Sequence, residues 1–63
     1  MRLKVGDKVY VGSRGRTEVV TGIRVPEGKT EDMDWVDVRR GARMITLELE
    51  DGTMVKATEV SRW

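Results

Sequence analysis

Apolar and polar residues alternate from Ile45 to Glu50, which puts Ile45, Leu47 and Leu49 on one face of a pleated strand. Asp51-Gly52 then supplies a turn, and Val55 and Ala57 resume the apolar positions beyond it. A two-residue turn would set Leu49 opposite Met54 and Leu47 opposite Lys56, burying an ammonium stem among leucines. A type I turn through Glu50-Asp51, with Gly52 as a left-handed bulge residue, instead pairs Leu49 with Thr53, Leu47 with Val55 and Ile45 with Ala57. Only the second register yields one continuous apolar face, so it is the register predicted.

The same period of two runs through the rest of the chain. Val5-Gly6-Asp7-Lys8-Val9-Tyr10-Val11 reads as a turn followed by a strand, with Val9 and Val11 inward and Tyr10 outward. Gly12-Ser13-Arg14-Gly15-Arg16 is a loop, and Thr17 to Val25 is a strand with Val19, Thr21, Ile23 and Val25 on one face. Gly22 marks a bend or bulge in it. Pro26, the only proline, opens a polar stretch to Met33 without periodicity, read as the longest and most mobile loop and, from Glu27 to Asp34, as dispensable for folding. Trp35-Val36-Asp37-Val38-Arg39 alternates again, as a strand with Val36 and Val38 inward and Trp35 outward. Thr58-Glu59-Val60 forms one helical turn capped by Thr58. The expected core is Val9, Val11, Val19, Ile23, Val36, Val38, Ile45, Leu47, Leu49, Val55 and Val60.

Five short strands, tight hairpins and one late helical turn predict an all-β chain, a five-stranded SH3-like barrel spanning residues 1–63. Gly6-Asp7-Lys8-Val9-Tyr10-Val11, a glycine-containing loop and Val20-Thr21-Gly22-Ile23 resemble the opening of KOW-type and Tudor-type SH3-like domains. Leu47 to Gly52, followed by Val55 and Val60, is similar to the second half of Tudor-type domains. The resemblance covers about half the chain and implies a binding role. Glu18 stands where the KOW pattern has glycine, and Tyr10 and Trp35 alone do not complete the aromatic cage with which Tudor-type domains hold methylated side chains.

With 63 residues the chain sits near the lower limit for a self-sufficient core, and it contains neither cysteine nor histidine. Disulfides and the common zinc sites are thereby excluded, as are nucleophilic triads built on His or Cys. No apolar run approaches the roughly 20 residues that span a bilayer, and a signal-peptide core is missing from the first residues. The expectation is a cytoplasmic protein without a membrane partner. The acids Glu31, Asp32 and Asp34 do not follow the spacing of a calcium loop, so no metal or cofactor is expected. Gly6-Asp7-Lys8-Val9 and Pro26-Glu27-Gly28 look superficially similar to parts of plasmid-borne dihydrofolate reductases, whose site forms at an oligomer axis. The segment carrying that site has no counterpart in Ile45 to Glu50, and no enzymatic activity is expected.

The net charge of +1 conceals an uneven distribution. Residues 1–24 carry Arg2, Lys4, Lys8, Arg14, Arg16 and Arg24 against Asp7 and Glu18, whereas residues 25–38 carry Glu27, Glu31, Asp32, Asp34 and Asp37 against Lys29 alone. Two binding roles follow. In the preferred one Tyr10, Trp35, Met44 and Met54 are exposed anchors for a protein partner or a second copy of the chain. In the alternative, Arg14, Arg16, Arg39, Arg40 and Arg43 bind nucleic acid while Tyr10 or Trp35 stacks on a base. A pI near 8.1 is lower than basic footprints usually give. The small, arginine-rich, cysteine-free composition suits an accessory protein of a phage or mobile element.

Overall fold

A computed structural model describes residues 1–63. Just over half of the chain is strand, arranged as Arg2–Lys4 (β1), Lys8–Val11 (β2), Arg16–Val25 (β3), Gly28–Thr30 (β4), Asp32–Asp34 (β5), Thr46–Leu49 (β6), Met54–Lys56 (β7) and Val60–Arg62 (β8). A short helix, Trp35–Arg40 (α1), and 3-10 turns at Ala42–Met44 and Ala57–Glu59 complete it. The molecule is mostly β, as expected, but it has eight strands in two open sheets where five were expected.

The larger sheet runs β7-β6-β3-β2-β8, with β4 also on β3, and every pairing is antiparallel. The hairpin of β6 and β7 has the register read from the sequence, Leu47 opposite Val55, with the Ala57 amide donating to the Ile45 carbonyl. Gly52 takes φ +86°, the left-handed bulge conformation that a side chain would strain. Strand β3 is long because it serves two neighbours, its first half pairing with β2 and its second with β6 and β4.

Four expectations need correction. The register of β3 shifts between Val20 and Gly22, and the inserted residue reverses the inward parity. Val20 and Glu18, not Val19, therefore face the interior before the bulge, and Ile23 faces it afterwards. Trp35 to Arg40 is helical, not extended: Asp34 accepts from the Val36 amide as N-cap, Arg39 and Arg40 complement the last turn, and Gly41 ends it. The spacing of three then buries Trp35, 9% exposed, with Val38 and leaves Val36 outside at 56%. The segment after Pro26 is structured, since β4 returns along β3 and β5 pairs with β1 as a two-stranded sheet, Leu3 opposite Met33. It is thus no unstructured loop: β5 pairs with β1, which carries the fully buried Leu3 into the core. Finally, the last 3-10 turn is preceded by Lys56, whose amide donates to the Glu59 carboxylate; Thr58 does not cap it.

Candidate functional site

Ion pairing divides the cations into two groups. Arg14 donates to Glu18 at 2.8 Å, to Asp51 at 2.9 Å and to the Thr53 hydroxyl at 2.7 Å, and Arg16 donates to Glu18 at 3.1 Å. Glu18 is buried, so removing its partners would leave an uncompensated charge in the wall of the core. With the Ser13 hydroxyl donating to Glu59, these bonds tie the loop after β2 to the turn after β6 and to the last 3-10 turn. The Glu18 contact raises the Arg14 pKa, while bonds from Thr53 and then Arg14 hold Asp51 below the usual carboxylate range. Across the sheet, Arg24 and Lys29 both donate to Glu48. Arg2 donates to Asp32 at 2.8 Å. Arg14 and Arg16, two of the sequence-nominated nucleic-acid contacts, are thus committed to carboxylates of their own chain.

The second group is unpaired: Lys4, Lys8, Arg39, Arg40, Arg43, Lys56 and Arg62 make no ion pair. Lys4 and Lys56 stand apart, whereas the other five gather on one side. They line three surface depressions that run into one another. The first, about 390 Å³, lies between Lys8, Trp35, Arg62 and Trp63. It shares Trp35 and Arg62 with a second of about 460 Å³ that reaches Arg39 and Arg40, and these two continue into a third of about 420 Å³ beside Arg43 and Met44. Asp7 is the only acidic side chain among the residues lining the three.

Local structure explains this gathering. Helix α1 ends in Arg39-Arg40, and the 3-10 turn after it carries Arg43, so three guanidinium groups emerge where both elements end together. Strand β8 brings Arg62 opposite Val9 of β2. All three aromatic residues of the chain also belong to this region. The Arg39 guanidinium lies 5.3 Å from the Trp35 ring centroid, a cation–π contact that covers the buried indole. Tyr10 lies opposite Ser61, so Trp63, two residues on, is its diagonal neighbour on the same face. Their rings stack, with centroids 6.5 Å apart and planes at 18°.

Of the residues nominated as protein anchors, Trp35 is buried where exposure was expected, and Tyr10 is exposed but covered on one side by Trp63. Met44 projects at the far end of the basic band, and Met54 lies by Glu48 and Gly52 in a separate depression, so no one depression joins the four. Sequence reasoning missed Trp63, Arg62 and Lys8. The signal available for the first two was the alternation of Val60 and Ser61 continuing into Arg62 and Trp63, which places Arg62 on the last strand and Trp63 directly after it. No protein-family model matches the chain, nor does any curated protein or solved structure.

Proposed function

We propose that this chain is a non-catalytic SH3-like binding module that holds nucleic acid along the band from Lys8 and Arg62 to Arg43. The barrel reading is supported by the strand order β7-β6-β3-β2-β8, by a bent central strand shared between two halves, and by a 3-10 turn leading into the last strand. The observation that carries the functional reading is the separation of cations: of those elsewhere, Arg2, Arg14, Arg16, Arg24 and Lys29 are paired with carboxylates and only Lys4 and Lys56 are not, while five unpaired ones, Lys8, Arg39, Arg40, Arg43 and Arg62, converge on one side with the aromatic rings. Unpaired guanidinium groups lose little by exchanging water for phosphate, and the counterions they displace drive association. A protein-contact role has less support, because its four anchors do not share one depression.

Alanine variants test the assignment. Replacing Arg43 and Arg62 should weaken binding of a mixed-sequence oligonucleotide by at least about ten-fold while leaving the melting curve nearly unchanged. Replacing Arg14 and Arg16 should do the reverse, lowering thermal stability with little loss of affinity at temperatures where the variant is folded. Equal affinity losses from both pairs would contradict the division.

A further inference from the structure

Resting on the nucleic-acid reading above, we propose that Trp63, backed by Tyr10, is a stacking platform for an unpaired base of a single strand whose phosphates lie on Arg62 and Lys8. Trp63 is 76% exposed, the most exposed large apolar residue in the chain. A solitary exposed indole is ordinary on a protein surface, and three further features distinguish this one. Its ring is held by the stack on Tyr10, which itself is fixed in the ladder between Thr17 of β3 and Ser61 of β8. Trp63 borders the 390 Å³ depression, so there is room for a planar group beside it. Lys8 and Arg62, both unpaired, border the same depression.

A rigid aromatic face next to cations suits a nucleotide whose base is free to leave its neighbours. In a duplex the base faces are already stacked inside the helix, so the platform has no ring to engage and only the phosphate contacts remain. Every base has a π-face, so the platform is tolerant of sequence, and an indole reads neither sugar edge, so it is tolerant of DNA and RNA. Trp35 cannot take this role, because Arg39 and the core enclose it.

The full chain is titrated at low salt with four labelled ligands of one length: a mixed-sequence DNA strand, the same sequence as RNA, an abasic DNA strand, and the DNA duplex. The expected result is that both base-bearing strands bind about ten-fold more tightly than the abasic strand and quench tryptophan fluorescence, which the abasic strand does not do. Trp63→Ala should bring the base-bearing strands down to the abasic level without changing the abasic or duplex affinity, and Trp63→Phe should retain part of the gain. Equal affinity for base-bearing and abasic strands would overturn the platform, as would a Trp63→Ala variant that keeps the preference, or a gain confined to one sugar. Failure of the underlying nucleic-acid reading looks different: the abasic strand and the duplex would then also fail to bind.

Discussion

Glu48 lies across Gly22, and a Cβ at position 22 would collide with its carboxylate. That carboxylate is held in place by Arg24 and Lys29, whose bonds lower its pKa, so it cannot swing aside without breaking both. Gly22→Ala should therefore lower the melting temperature by a few degrees, and Glu48→Ala should remove most of that cost; thermal melts of the two single variants and the double variant measure the coupling. Full additivity would contradict the steric account. The glycine was visible in the sequence as a bulge, yet its consequence for the side-chain alternation was not. The count of two per pleat, continued through position 22, sends Val19 inward, whereas one inserted residue hands that place to Val20. A bulge is a property of two paired strands, and a single strand's pattern does not contain it.

Among the elements, α1 shows how local pattern and tertiary placement compete. Val36 and Val38 alternate as in a strand, and six residues are too few for a helical period to stand out. The deciding features were the caps: Asp34 before the first turn, two arginines in the last, and Gly41 after it. Val38→Ala should cost about 2 kcal/mol, because two buried carbons are removed, while Val36→Ala should stay within about 0.5 kcal/mol. Chemical denaturation of both variants checks this, and equal costs would restore the extended strand. The β6–β7 hairpin lies at the other extreme. Its alternation, its turn residues and its one possible apolar face all agree, so even the register was legible. The short strands β1, β4 and β5 were not, since three-residue segments of mixed polarity acquire strand geometry only from their partners.

At the scale of the molecule, charge is organised by contacts between residues distant in sequence. Arg14 reaches Asp51 and Arg24 reaches Glu48, so balances counted along the chain could not distinguish neutralised arginines from available ones. The four carboxylates held by such bonds, Asp32, Glu48, Asp51 and Glu59, all titrate below their ordinary values. A folded-state pKa lower than the unfolded one adds stability above the unfolded value and forfeits it as pH falls through the folded value. The melting temperature should thus hold near neutral pH and fall once the pH drops below about 4, and 1 M salt should narrow the difference because these pairs are near the surface. An acid-insensitive melting curve would show that the pairs contribute nothing to folding. The aromatic and basic residues of the candidate site come from β2, α1, the following 3-10 turn, β8 and Trp63 directly after it, a convergence created only when the sheet places β8 against β2.

The affinity of the chain for a mixed-sequence single-stranded oligonucleotide, followed as a function of salt, tests that convergence most directly. Up to five cations are free to meet phosphates, Lys8, Arg39, Arg40, Arg43 and Arg62. At about 0.7 unit per phosphate contact on a single strand, the logarithm of the binding constant should fall against the logarithm of salt concentration with a slope of about −2 to −3.5. A binding constant that stays level between about 50 and about 200 mM salt, or no binding at the lower concentration, would contradict the account.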